Sequence, residues 1–340
     1  MAGKPGGRCA SLPDAGPQGA ASGAIEPLRS LGSPQPARAP VLSCSTLYDV
    51  PAPAKLNLFL HVVGRRPDGY HQLQTVFRFV DLCDRLDFER TGDGLILRDG
   101  ETLPGLAPEA DLVVRAARSL QQASGTRFGA RIRCAKHIPA GGGLGGGSSD
   151  AATTLIALNR LWGTGLTRAD LLRLALPLGA DVPVFVFGQS AFAEGVGEQL
   201  QAVALPPQAY CIIRPRAHVE TAAIFRDPDL TRNSESVKIS VFTDWQTEHR
   251  SLFGRNDLEA TVSRHHPVVA QLLGVMRHAG LDARMTGSGS CLFAGCYGIA
   301  QARMQLDRII SKIQGSSVEQ VEGFWVCQGL DDHPLKSWLD

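Results

Sequence analysis

PAGGGLGGGSSDAA, Pro139 to Ala152, decides how this 340-residue chain is read. Gly141, Gly142, Gly143, Gly145, Gly146 and Gly147 are interrupted only by Leu144, and the run leads directly into Ser148, Ser149 and Asp150. An apolar pattern of helical spacing follows, with Ala151, Leu155, Leu158 and Trp162 on one stripe of a helix expected from about Ser149 to Trp162. Upstream, Ala130 to Lys136 reads as a short strand. Glycines let the backbone take up positive φ and come close to a ligand. A helix starting right after them offers unpaired N–H groups and the positive end of its dipole, which together suit a phosphate. No Lys stands where a P-loop needs one. The acidic residue that a dinucleotide fold carries about 20 residues further on is also missing. A flexible linker is the competing reading of a glycine run, but linkers seldom separate an apolar strand from an amphipathic helix.

The rest of the composition narrows the class. At 44% hydrophobic residues the chain can bury a core of two domains. Lys+Arg is 34 and Asp+Glu 33, for a net charge of +1, which favours neither nucleic acid nor an anionic membrane as partner. The eight cysteines are dispersed without a C-x-x-C pair, so reduced thiols in a cytoplasmic protein are expected, not a zinc site or disulfide framework. No apolar run approaches a membrane span. Residues 1–45 hold seven Pro, seven Gly and no aromatic residue, and are expected to be a disordered extension.

Beyond it, Leu47 to His61 reads as a strand with Ala54, Leu56, Leu58 and Leu60 on one face and Lys55, Asn57 and Phe59 on the other. RRPDGYH, Arg65 to His71, is turn chemistry, and Leu73–Phe79 and Asp84–Phe88 look like further strands. Asp111 is placed to cap a helix running to about Gln122, and Thr167 with Asp170 resembles a capping box for the next one. Val182–Phe187 reads as β-type with Ala191–Gly197 as its hairpin partner. After Val203 a second unit is expected. It comprises a strand at Tyr210–Arg214, a helix opening near Val219–Phe225, helices at Leu258–Thr261, Val268–Ala279 and Gln301–Ile313, a TGSGS loop before the strand CLFAG, and a last strand at Phe324–Cys327. Strands and helices mix without strict alternation, so the fold class is α+β.

Four ordered segments now carry a resemblance. They are PAKLNLFLHVVGRRPDGYHQLQTVF (Pro53 to Phe77), PAGGGLGGGSSDAA, GADVPVFVFGQSAFAEGVGE (Gly179 to Glu198) and RMTGSGSCLFAG (Arg284 to Gly295). Together they resemble the GHMP kinases, from about Val50 to the C-terminus. The first segment resembles the branch of that family whose acceptor is the cytidylylated polyol 4-diphosphocytidyl-2-C-methyl-D-erythritol. The resemblance implies a two-domain α+β fold: 46–203 like ribosomal protein S5 domain 2, with a left-handed crossover, and 204–340 ferredoxin-like. It implies transfer of the γ-phosphoryl group of ATP, with Mg2+, to the 2-hydroxyl of the acceptor, a step in isoprenoid precursor synthesis.

The site residues follow from the same resemblance. Asp181, otherwise an ordinary turn or cap aspartate, becomes the base that takes the hydroxyl proton. Lys55, otherwise a solvent-facing strand lysine, becomes its partner, holding Asp181 ionised. Asn57 would bond the erythritol. Tyr70 and His71 would contact the cytosine, with Phe225 closing the other side and Thr221 lining the same pocket. ATP would lie on Pro139, Ala140, Gly141 to Gly147 with Leu144 among them, Ser148 and Ser149, with Lys136 near its adenine and phosphates. Where the family often has Pro this chain has Ala222, and where the family usually has Asn it has Asp111, which is a cap first and an adenine contact second. Thr286 to Gly289 would either supply backbone contacts across the cleft or simply pack. No set of protein metal ligands is legible. Three other readings stay open: a GHMP kinase for another small alcohol, a non-catalytic nucleotide-binding protein, and an RNA-binding fold, the last opposed by the neutral charge balance.

Overall fold

A computed structural model describes residues 44–100, 108–248, 251–313 and 318–339. The expected N-terminal extension therefore lies, but for its last two residues, outside the described residues. Strands β1 (Thr46–Arg65) and β2 (His71–Thr91) form a long antiparallel ribbon. The segment between them is the expected turn, closed by the Arg66 N–H on the Tyr70 carbonyl at 2.7 Å and the Gly69 N–H on Arg66 at 2.9 Å. The two strands foreseen at Leu73–Phe79 and Asp84–Phe88 are one continuous β2. Along β1, residues 52 to 62 are buried on both faces, so Lys55 and Asn57 face a second layer of protein and not solvent.

Strand β3 (Ile96–Asp99) runs parallel to β4 (Gly129–Ala135), which pairs antiparallel with β2. Helix α1 (Leu112–Ser124) begins as expected at Asp111, whose Oδ1 accepts from the Val113 N–H at 2.8 Å. Helix α2 (Gly146–Trp162) begins three residues earlier than the apolar pattern suggested, inside the glycine run. Helix α3 (Arg168–Ala175) carries the foreseen capping box of Thr167 and Asp170.

Val182–Phe187 is not a strand but helix α4 (Val182–Phe187). A short wholly apolar run has no periodicity to separate a buried strand from a buried helix. Here the punctuation decides: Pro183 in the first turn has its φ already set for a helix, and Gly188 closes it at φ 81. Asp181 thereby stands at a helix N-terminus. β5 (Ala191–Glu194) accordingly pairs with β2 and with β6 (Gln199–Ala202), not with 182–187.

The rest of the chain comprises β7 (Ala209–Pro215), α5 (Thr221–Arg226), α6 (Ile239–Glu248), α7 (Asp257–His265), α8 (Pro267–His278), β8 (Ala283–Met285), β9 (Leu292–Cys296), α9 (Ile299–Ile313) and β10 (Val321–Leu330). The strand order is β3-β4-β2-β10-β7-β9-β8, with β1 and β5 also on β2. β10 joins the two halves: Val321–Gln328 pair with β7, and Gly329 and Leu330 pair with β2.

Buried side chains fall in three clusters. One joins α1, α2 and α4 to β2 and β4, and also takes in Leu335 beyond β10. A second joins α7, α8 and α9 to β7, β8 and β9. The third lies between and includes Leu56, Phe59, Ile138, Phe242, Phe293 and Leu144. Leu144 explains the single break in the glycine run. It is a buried anchor, worth about 1.5–3 kcal/mol, that pins an otherwise side-chain-free loop to the core. No helix among the described residues is long and apolar enough to cross a membrane.

Candidate active site

The glycine loop is held from two sides. The Leu144 carbonyl accepts from the Lys55 N–H at 2.9 Å, and the Gly142 carbonyl from the Cys291 N–H at 3.1 Å. Gly143 sits at φ 76, where a methyl group would overlap the Thr286 carbonyl oxygen and lie 3.1 Å from the Gly289 nitrogen. The TGSGS loop thus packs backbone to backbone on the glycine loop. Beyond Gly145, the first intrahelical bond of α2 is that of the Ser149 N–H to the Gly145 carbonyl at 2.8 Å. The N–H groups of Gly146, Gly147 and Ser148 have no acceptor within the helix. They edge a cavity of about 480 Å3 lined by Pro139 to Ser148, with Lys136, Arg98, Asp111, Asp150, Thr221 and Ser288.

At the entry to this loop Lys136 lies between two carboxylates. Its Nζ meets Asp150 Oδ2 at 2.5 Å and also contacts Asp84 Oδ2. Asp84 is fully buried, and its Oδ1 accepts from the N–H groups of His137 at 2.6 Å and Ile138 at 2.8 Å. Burial pushes the Asp150 carboxyl up to about 7, against the pull of Lys136 and helped by the charge of Asp84. For Lys136, burial alone would lower the ammonium's pKa, and the two carboxylates outweigh it to raise it. Lys136 therefore first ties β2, the loop and α2 together at the edge of the cavity.

A second cavity, of about 460 Å3, is lined by Arg65, Asp68, Gly69, Tyr70, His71, Leu73, Ala180, Val196, Ala222, Phe225 and Arg226. Tyr70 is largely exposed. The rings of His71 and Phe225 touch, with centroids 4.9 Å apart, which leaves no room for a base between those two. Burial first, then Arg232 and Arg65, hold the His71 imidazole below its usual pKa.

Lys55 and Asp181 line neither cavity but adjoin both: the Lys55 side chain packs under Gly145 of the first, and Asp181 directly follows Ala180 of the second. Ala180 lines the second cavity, while Gly179 approaches Ser148 of the first. The Asp181 side chain makes no cap bond to its own helix; instead its Oδ2 meets Lys55 Nζ at 3.1 Å. Lys55 is 2% exposed, and its Nζ also donates to Asn57 Oδ1 at 2.6 Å and lies 5.5 Å from the Phe77 ring centre. Asn57 in turn donates from Nδ2 to Thr75 Oγ1 at 2.9 Å, and its N–H donates to Thr286 Oγ1 at 2.9 Å. A buried ammonium thus faces a half-exposed carboxylate and is fixed from behind by a buried amide.

The structure sorts the expected residues as follows. Tyr70, His71 and Phe225 meet at one cavity, and Pro139 to Ser148 with Lys136 meet at the other. Thr221 lines the glycine-loop cavity, where its Oγ1 meets Ser288 Oγ at 2.7 Å, and not the pocket of Phe225. The reason is that α5 spans the gap, its first residue facing one cavity and Phe225 the other. Ser149 turns inward, fully buried, with no hydrogen-bond partner for its hydroxyl. Asn57 is a buried support of Lys55. Arg98, Asp84 and Asp150 had gone unforeseen. Arg98 sits on β3, a strand without a clear sequence signal, where its Nε is 3.6 Å from Asp111 Oδ2. Asp150 stood in the quoted motif, but only its pairing with Lys136 marks it. Among the described residues, no group of three or more His, Cys, Asp or Glu side chains could hold a metal ion.

Residues 111–189 match the profile of the GHMP kinases N terminal domain, and residues 244–315 that of GHMP kinases C terminal. The 4-diphosphocytidyl-2-C-methyl-D-erythritol kinase of Bordetella parapertussis is 61% identical over 300 residues, covering 86% of this chain and 99% of that protein. The enzyme of the same name from Cupriavidus metallidurans is 53% identical over 293 residues, covering 86% and 96%. A crystal structure of 4-(cytidine 5'-diphospho)-2C-methyl-D-erythritol kinase superposes with a TM-score of 0.70 at 35% identity, covering 82% of this chain and 98% of that one. Homoserine kinase from Cytophaga hutchinsonii, at 18% identity and a TM-score of 0.64, shares the fold. The chain therefore belongs to the 4-diphosphocytidyl-2-C-methyl-D-erythritol kinase family of the GHMP kinases.

Proposed function

We propose that this chain transfers the γ-phosphoryl group of ATP to the 2-hydroxyl of 4-diphosphocytidyl-2-C-methyl-D-erythritol, yielding ADP and the 2-phosphate. The observation that carries this reading is the 3.1 Å Lys55–Asp181 pair beside two cavities, one lined by the glycine loop and one walled by aromatic side chains. ATP takes the first cavity, its phosphates against the free N–H groups of Gly146, Gly147 and Ser148. These preorganised dipoles face the charge that spreads over the transferring phosphoryl group. The cytidine end takes the second cavity, beside Tyr70, His71 and Phe225. The acceptor hydroxyl then lies against Asp181, which takes its proton as attack begins. The Lys55 ammonium holds the Asp181 side chain in place through their 3.1 Å ion pair and steadies the developing alkoxide, and Asn57 fixes its direction. Catalysis is then mainly positioning and electrostatics.

Mg2+ would travel with the ATP phosphates and neutralise part of their charge, since this ion keeps few protein ligands at such sites. The side chains present fit it: the Ser148 hydroxyl lines the cavity, and Asp150 Oδ1 is buried without a partner. We divide the chain into working units at 203/204, the first holding the glycine loop and the catalytic pair. The first two buried clusters divide mostly along this line, with Leu60 and Val62 of β1 reaching into the second and the tail after β10 returning to the first. The free thiols of all seven described cysteines suit a cytoplasmic setting.

An ADP-release assay across acceptors tests the assignment. The cytidylylated polyol should be turned over, and homoserine, mevalonate and the uncytidylylated polyol phosphate should not. Equal rates on the uncytidylylated acceptor would refute the role given to the second cavity.

A further inference from the structure

Arg232 lies outside both cavities, in the chain between α5 and α6, yet it is bonded to both aromatic walls of the second one. Its Nη2 donates to the carbonyls of Phe225 at 2.9 Å and Asp227 at 2.6 Å, at the C-terminal end of α5. Its Nη1 donates to the Leu230 carbonyl at 3.1 Å and more distantly to that of Pro228. The remaining donor, Nε–H, points at His71 Nε2, 3.1 Å away. A guanidinium has no acceptor and does not lose its proton, so His71 Nε2 must be the accepting nitrogen. In the neutral ring the proton is then fixed on Nδ1. Burial and the neighbouring arginines lower the His71 pKa, which favours the neutral ring. Among the described residues Nδ1 has no hydrogen-bond partner, and the ring lines the cavity.

We infer that Arg232 is the positioning residue that sets base specificity, by locking His71 as a donor at Nδ1 toward an unprotonated pyrimidine ring nitrogen. The inference rests on the reading of the second cavity as a cytidine site. Cytosine offers a lone pair at N3, whereas uracil carries a hydrogen there. A donor-only His71 therefore accepts the first and opposes the second. An imidazole free to move its proton to Nε2 would present an acceptor at Nδ1 and would suit uracil instead. Without Arg232, nothing else bonded to His71 among the described residues chooses between the two forms. The same guanidinium ties Phe225, on the carbonyl side of α5, to the His71 ring it touches, so wall and tautomer are set by one side chain.

Two measurements test this. The first is the 15N spectrum of His71 in the wild-type protein, which should show Nδ1 protonated and Nε2 bare; the opposite tautomer overturns the inference. The second compares kcat/KM for the cytidine-diphosphate acceptor and its uridine-diphosphate analogue in wild type, Arg232→Met and Arg232→Lys. Arg232→Met should reduce the cytidine preference by about two- to twelvefold, as expected for one hydrogen bond. The change should fall mainly on KM for the cytidine acceptor, with the tautomer signature shifting towards Nε2–H. Arg232→Lys keeps a donor toward His71 and should retain the preference. If Arg232→Met weakens both acceptors equally and leaves the tautomer unchanged, Arg232 is only a clamp and the inference fails. If Arg232→Met does not fold, the wild-type spectrum and the Arg232→Lys ratio still decide. If the wild-type protein turns over neither acceptor, the proposed reaction fails, while the spectrum still reports on the lock.

Discussion

Gly143→Ala probes the contact between the two loops most sharply. Two separate costs arise. At φ 76 an alanine is in the left-handed region, which costs about 1–2 kcal/mol for a residue with a Cβ. The methyl group also overlaps the Thr286 carbonyl and presses on Gly289, and all three contacting atoms are backbone, so no side chain can swing away. Relief requires the TGSGS loop to withdraw. That breaks the Cys291 N–H bond to the Gly142 carbonyl, worth about 0.5–1.5 kcal/mol. Because the strained loop relaxes in the free protein and ATP binding must restore its shape, this cost of about 1.5–3.5 kcal/mol lowers ATP affinity by up to roughly 10- to 400-fold. Gly141→Ala supplies the comparison. Gly141 has nearly the same φ, 70, but a methyl there would meet only His218 Nδ1 at 3.8 Å. It should lose only the conformational part, about 1–2 kcal/mol. Calorimetric titration of both variants with ATP reads the difference. Equal affinities would refute the claim that backbone apposition of the two loops shapes the ATP cavity.

Two further predictions concern stability. His333 is fully buried against Phe79 and Phe185, its Nδ1 accepting from the Leu335 N–H at 3.0 Å and its Nε2 unpartnered. Burial holds its pKa down to about 3 from an ordinary 6.5. The folded value lies below the unfolded one, so the stabilisation is complete above pH 6.5 and is lost as pH falls towards 3. Between pH 6.5 and 5 this amounts to about 1.6 kcal/mol. Urea unfolding at the two pH values should show that loss in wild type and not in His333→Phe; an equal loss in both would assign the acid sensitivity elsewhere. Gly274, within α8, has open space where a methyl would go and no positive φ. Gly274→Ala should therefore raise the unfolding free energy by about 0.5–1 kcal/mol, with activity unchanged. A fall in melting temperature would contradict it.

The elements with punctuation were legible from sequence. The cap at Asp111, the capping box at Thr167, the turn at Asp68-Gly69 and the amphipathic helices α8 and α9 all lie where local chemistry put them. Helix α4 was misread because Val182 to Phe187 is apolar throughout, and only its proline and closing glycine carry the information. Lys55 looked solvent-facing from alternation alone. The layer that covers it comes from residues about 90 and 230 positions later, Leu144 and Thr286, and no local pattern reports such contacts. For the same reason Asp84, Asp150 and Arg98 could not be grouped with the glycine loop, and Thr221 could not be separated from Phe225. Ser149 shows the limit of a motif. Its neighbour lines the cavity, but one step of 100° around α2 turns Ser149 into the core.

The central claim is that Asp181, held by Lys55, takes the proton of the acceptor hydroxyl. Asp181→Asn keeps the shape of the side chain and removes the base. Single-turnover transfer from radiolabelled ATP to the cytidylylated polyol, measured beside ATP affinity, tests it directly. Transfer should fall by about 10²- to 10⁴-fold while ATP binding changes little. A variant that transfers within tenfold of the wild-type rate would contradict the account.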